Sequence, residues 1–153
     1  MLKIAVVDDE IVFVESLINK ITAVCEKLNL EFKIDKYSNG FDILENYSKY
    51  HLIFLDIEMP SIDGIATAKR INELKSSAEI PFIVYVTSHD ELVFDALKSF
   101  PYSFIRKSKI ESDLYECINR VNNSFQELHK TIVLHTERKI FRLLLVILFI
   151  LKN

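Results

Sequence analysis

HLIFLDIEMPSIDG, residues 51–64, decides the fold. The apolar run from Leu52 to Leu55 has the length of a buried strand and is too short for a buried helix. It ends on Asp56, and an ionised carboxylate at the end of a buried strand is costly without a partner. MPSIDG (59–64) reads as a loop, and a helix follows to about Leu74. Strand, acid, loop and helix in that order make one unit of a parallel sheet, with the acid at the carboxyl end of its strand.

Strand and helix signals alternate on either side of this unit. KIAVV (3–7) is a buried strand, and Ile11, Val14, Leu17, Ile18, Ile21, Cys25 and Leu28 follow at helical spacing. EFKIDKY (31–37) alternates as a strand with Phe32 and Ile34 on one face. Asn39 and Gly40 punctuate, and Phe41, Leu44 and Tyr47 mark a short helix. Pro81 opens the strand FIVYVT (82–87), and Leu92, Ala96 and Leu97 mark another helix. YSFIR (102–106) is a short final strand. Ile110, Leu114, Cys117, Ile118, Val121, Phe125 and Leu128 give the last helix and the clearest stripe in the chain. The expected class is α/β, a doubly wound parallel sheet of five strands covered on both faces. In such sheets functional residues gather at the carboxyl ends of the strands, near the point where strand order reverses.

A chain of 153 residues has room for one such domain and a fragment. Its charge is uneven: residues 1–128 carry a balance of −7 and residues 129–153 one of +4, too few basic groups to argue for nucleic acid. Cys25 and Cys117 are isolated and read as small buried helix residues rather than a disulfide or metal pair. MLKIAVVDDE turns acidic too early for a signal peptide, so a cytoplasmic location is expected.

The strand ends carry the chemistry. The first ends in Asp8-Asp9-Glu10, the third in Asp56, the fourth in Thr87-Ser88 and the fifth in Arg106-Lys107. Parallel strands place all of these on one edge, so carboxylates, a hydroxyl and an ammonium surround one crevice. Clustered carboxylates raise one another's pKa, and such a cluster persists where something positive joins it. Oxygen donors without His or thiolate select a hard cation, and Mg²⁺ suits one or two carboxylates with water. A carboxylate beside that cation can attack phosphorus, with the cation and a Lys neutralising the phosphoryl oxygens. Each residue also has a plainer reading. Asp8 and Asp9 could cap the first helix, Thr87 or Ser88 the fourth, and Lys107 could be a solvated surface charge.

Other phosphate-binding designs fit less well. A dinucleotide fold needs a Gly-rich turn where this chain has DDE, and no GxxxxGK[ST] is present. DIEMP does not supply the DxDx[TV] of haloacid-dehalogenase-type phosphatases.

VVDDE, LDIEMPSIDG, VTS and FIRK together resemble the receiver domain of two-component response regulators, over residues 2 to about 128. The resemblance implies a flavodoxin-like sheet of order 2-1-3-4-5, with Asp56 as the phospho-acceptor. It implies Mg²⁺ held by Asp9, Asp56 and the backbone carbonyl of Glu58, with Asp8 acting mainly through water. Thr87 would be the switch hydroxyl, Lys107 the charge paired with the phosphoryl group, Phe104 the switch aromatic, and Pro60 and Gly64 the residues shaping the acceptor loop. The implied donor is a phosphohistidine on a sensor histidine kinase. The implied output is a shift in the surface of the fourth helix, fifth strand and fifth helix, which can also support a homodimer. The domain would be no enzyme beyond its own phosphorylation and dephosphorylation. One departure is Ser108, where the family usually has Pro in a cis peptide, and a non-Pro residue there favours trans.

TSHDELVFDALKSFPYSFIRKS is close to the receivers of LytTR-type regulators, which precede a β-rich DNA-binding domain. TIVLHTERKIFRL (131–143) then reads as a strand, a turn near 137–139 and a return strand, so residues 129–153 are expected to be a linker and the truncated start of that domain, a short β-like tail. Some twenty residues cannot complete it, since independent domains need at least about 50. DNA is therefore a partner only of a complete output domain. The alternatives are a free-standing receiver acting by protein contact and, further off, a Mg²⁺-dependent phosphatase of the same fold. The apolar run in FRLLLVILFILKN is shorter than the ~20 residues of a membrane span. Residues 140–153 are expected to lie against the body, pair with another chain or stay disordered.

Overall fold

A computed structural model describes residues 1–74 and 81–151. The β-branched and apolar runs form five strands: β1 Leu2–Val7, β2 Phe32–Tyr37, β3 Leu52–Leu55, β4 Phe82–Thr87 and β5 Ser103–Arg106. All pair in parallel, in the order β2-β1-β3-β4-β5. The helices are α1 Ile11–Lys27, α2 Gly40–Leu44, α3 Gly64–Glu73, α4 Val93–Leu97 and α5 Ile110–Leu151. Strand order reverses at the β1–β3 pair, as the doubly wound reading requires.

The chain divides into two compact units, Met1–Val121 and Asn122–Asn153. In the first, β3 is buried at every position, which is why its sequence is continuously apolar rather than alternating. Ala5, Val7, Ile53, Leu55 and Tyr85 share one core cluster with Ala68 and Ile71 of α3 and Ala96 of α4. Alternation sends Ile4, Val6, Phe54 and Val84 to the other face. Right-handed crossovers place α1 there, and an ion pair between Lys20 and Glu111 joins α5 to it. Val14, Leu17, Ile21 and Cys25 of α1 and Ile110, Leu114, Cys117, Ile118 and Val121 of α5 are buried. The two cysteines are therefore packing residues, and burial pushes both thiols up to about 11.

Of the apolar residues expected to mark helices, Ile11, Phe41, Leu97 and Leu128 are exposed. The β-like tail is corrected as well: the backbone from 131 to 151 is helical, continuous with α5. No Gly or Pro interrupts the chain after Pro101, and the Leu-rich run favours helix. The alternation in TIVLH covers too few residues to oppose this, and an isolated hairpin is marginal in water. Residues 152 and 153 lie outside the described residues, as do the side chains of residues 138–151, on which the expected packing of residues 140–153 depends. Among the described residues no helix is long and apolar enough to cross a membrane.

Candidate functional site

Register builds the site. Val7 pairs with Leu55, so the next residues, Asp8 and Asp56, leave the sheet side by side at the reversal point. Both are anchored by main-chain bonds: the Asp56 N–H donates to Val7 C=O at 2.9 Å and the Asp8 N–H to Tyr37 C=O at 3.1 Å. Both side chains are buried. On the far side, β4 runs two residues past the level of Leu55, so Thr87 pairs with Arg106. Lys107 is the next residue and turns its long side chain back toward the acids.

The Lys107 ammonium lies 2.7 Å from Asp8 Oδ2 and 3.4 Å from Asp56 Oδ2, and it hydrogen-bonds the second. Its contact with Asp8 is an ion pair outside hydrogen-bond geometry, which leaves Asp8 Oδ2 buried without a hydrogen-bond partner. Asp8 Oδ1 accepts the Glu10 N–H at 2.8 Å, and Asp56 Oδ1 accepts the Ile57 N–H at 2.9 Å. Asp9 completes the group: carboxylate oxygens of Asp8, Asp9 and Asp56 all lie within 4.8 Å of one another.

This packing has an electrostatic cost. Burial, then the neighbouring Asp8 charge, pushes Asp56 up to about 6 against the pull of Lys107. Burial also raises Asp8, with Lys107 opposing. Burial by itself would lower Lys107, but the charges of Asp8 and Asp56 outweigh it and raise its pKa. One ammonium therefore faces a concentration of negative charge that it only partly offsets. An all-oxygen donor set whose charge one ammonium only partly offsets fits a hard divalent cation.

The loop after Asp56 is held by two backbone features. A Cβ on Gly64 would sit 1.9 Å from the Asp56 carbonyl oxygen, so only glycine permits α3 to start there. Gly64 N–H also donates to Ile57 C=O at 2.8 Å. Ser61 has φ 73°, and Ile62 N–H reaches back to Pro60 C=O at 2.9 Å, a tight three-residue turn with a strained centre.

The other expected residues have different surroundings. Thr87 is fully buried, and its hydroxyl accepts the His89 N–H at 3.2 Å. Phe104 is half-buried and packs against the core cluster of β3, β4 and α3. The Glu58 side chain turns outward and meets His89 Nε2 at 3.0 Å, while His89 Nδ1 lies 3.0 Å from Glu91. Lys107–Ser108 is trans, since the described residues contain no cis peptide. Two neighbours of the site are absent from the sequence reading. His89 follows Thr87-Ser88 closely enough for its position to point to it. Phe13, whose ring lies under the Lys107 ammonium, falls off the apolar stripe of α1, and nothing in its spacing marks it.

Comparison with known proteins gives the same picture. A model described as the response regulator receiver domain matches residues 4–119. Protein MrkE of Klebsiella pneumoniae is 28% identical over 96 residues, 61% of this chain and 35% of MrkE. The crystal structure of its response regulatory domain aligns with a TM-score of 0.71 at 26% identity, covering 82% of this chain and 99% of that one. Transcriptional regulatory protein YpdB of Escherichia coli (strain K12) is 27% identical over 128 residues, 82% of this chain and 50% of YpdB. The response regulator protein TrrA of Thermotoga maritima, solved in complex with Mg²⁺ and BeF, is 29% identical with a TM-score of 0.59, covering 79% of this chain and 99% of that one. The chain spans half or less of the length of the two curated relatives, MrkE and YpdB.

Proposed function

The chain belongs to the response regulator receiver family, and from that premise we propose that Asp56 accepts a phosphoryl group from a phosphohistidine on a sensor histidine kinase. The observation that carries the proposal is the pair of buried carboxylates, Asp8 and Asp56, met by the Lys107 ammonium at the reversal point of the sheet. An Asp56 carboxylate oxygen forms the new O–P bond as the donor's N–P bond breaks, and the imidazole leaves with the electron pair. Lys107 supplies a positive charge for the phosphoryl oxygens, and burial keeps competing water away from the carboxylate. Asp9, Asp56 and the Glu58 carbonyl would hold Mg²⁺, with Asp8 acting mainly through water. Bound there, Mg²⁺ would offset the carboxylate charge and neutralise phosphoryl oxygens.

The switch reading assigns Thr87 to the phosphoryl group and Phe104 to the inward movement that follows. Thr87, whose oxygen accepts the His89 N–H, would donate its hydroxyl hydrogen to a phosphoryl oxygen, and the half-buried Phe104 would alter its packing. The responding surface would be that of α4, β5 and α5. Its apolar character supports contact with a protein, including a second copy of the chain. Phe94 and Phe100 are among the most exposed hydrophobic residues, and Phe100 keeps φ 52° where a glycine would be favoured. Control of transcription in the cytoplasm is the output that the similarity to YpdB, a transcriptional regulatory protein, supports. Residues 129–153 are read as a linker and the truncated start of a LytTR-type domain, and the helical backbone of residues 129–151 fits the linker part of that reading.

Acetyl phosphate with Mg²⁺ tests the acceptor. The expected result is a mass gain of one phosphoryl group, lost in Asp56→Asn. Equal labelling of Asp56→Asn would overturn the assignment.

A further inference from the structure

One aromatic ring touches the ammonium of the site without belonging to the acidic cluster or to the core. Phe13 stands in the first turn of α1, half-buried, and its ring centroid lies 4.2 Å from Lys107 Nζ. An ammonium within about 6 Å of a ring face is attracted by the ring's quadrupole. We propose that Phe13 is a positioning residue whose ring retains the Lys107 ammonium beside Asp56 when a divalent cation occupies the carboxylates. The inference rests on the acceptor reading above and adds to it a residue that the reading does not use.

Ammonium and cation compete for the same oxygens. Apart from the ring, the polar contacts of the ammonium among the described residues are Asp8 Oδ2 and Asp56 Oδ2. These carboxylates are also the groups that would face a bound cation. A cation there draws on the same negative charge and repels the ammonium, so both contacts weaken just when Lys107 is needed. Lys107 then has a flexible four-carbon stem and no carboxylate to hold it. The Phe13 ring is neutral and offers no lone pair to a hard cation, so its attraction does not compete for the metal. It keeps the ammonium near the acceptor while leaving the oxygens free.

The test separates attraction by the ring from simple packing, using the full chain with isotope-labelled lysine. A ring face shifts protons beneath it upfield, so the ε-methylene protons of Lys107, assigned with Lys107→Arg, report directly on the contact. The inference expects an upfield shift with and without millimolar Mg²⁺, kept in Phe13→Tyr and lost in Phe13→Leu. It also expects phosphorylation by acetyl phosphate to slow about two- to fivefold in Phe13→Leu and to recover in Phe13→Tyr. Unshifted protons in the wild type, loss of the shift on adding Mg²⁺, or equal behaviour of the Leu and Tyr variants would overturn it. Absence of any labelling at Asp56 in the wild type would instead count against the acceptor reading, while the lysine shifts still decide the role of the ring.

Discussion

At the scale of single residues, the site holds negative charge that Lys107 relieves only in part. Asp56 has a folded pKa of about 6, above its ordinary value of 3.8, because burial and Asp8 disfavour its ionised form. Between those two values the folded state binds more protons than the unfolded one, so stability falls as pH rises through that window. Above the window the cost is fully present. Asp56→Asn removes it, and in metal-free buffer at pH 7 the variant is expected to gain about 1–3 kcal/mol, less whatever Lys107 loses as its partner. Near pH 4 the gain vanishes. Mg²⁺ should raise the melting temperature of the wild type more than that of the variant, because it relieves the same repulsion and binds the folded state. Thermal melts across pH, with and without Mg²⁺, check both. Asp8, Asp56 and Lys107 were legible in the sequence because parallel strands must deliver their carboxyl ends to one edge. Phe13 was not, because an aromatic off the apolar stripe has no periodicity that marks it. The salt link between His89 and Glu58 joins two loops that no spacing rule brings together.

At the scale of elements, close approach and backbone conformation set the limits. Gly64→Ala places a methyl against the Asp56 carbonyl, which is backbone and cannot swing aside. The loop must shift, and chemical denaturation is expected to show a loss of about 2 kcal/mol or more together with slower phosphorylation. After α4 the reverse holds. Phe100 is 90% exposed at φ 52°, a conformation in which a Cβ is strained. Phe100→Gly is therefore expected to stabilise the isolated chain by up to about 1 kcal/mol while weakening any self-association, measured by melting and by sedimentation. An increase in self-association would contradict the output surface proposed for α4. The main misreading also belongs to this scale. TIVLHTERKIFRL alternates well enough to suggest strands, but the uninterrupted stretch from Ile110 carries α5 through it. Local alternation does not stop a helix that meets no Gly, Pro or competing sheet.

At the scale of the molecule, the parallel sheet makes the chemistry possible. Order β2-β1-β3-β4-β5 puts the ends of β1 and β3 together at its reversal point, with β4 and β5 alongside. The buried strands were legible as such because short, continuously apolar runs between helices mark a parallel sheet covered on both faces. The runs alone leave the strand order open, since pairing depends on contacts between distant segments. The order came with the family resemblance. The central claim is that this edge makes Asp56, rather than Asp8 or Asp9, the phosphoryl acceptor. The most direct measurement treats the acetyl-phosphate-labelled chain with borohydride, which reduces an aspartyl phosphate to homoserine, and maps the product by tandem mass spectrometry. The predicted result is homoserine at position 56 alone. Homoserine at position 8 or 9, or none in a chain that has gained the phosphoryl mass, would contradict it.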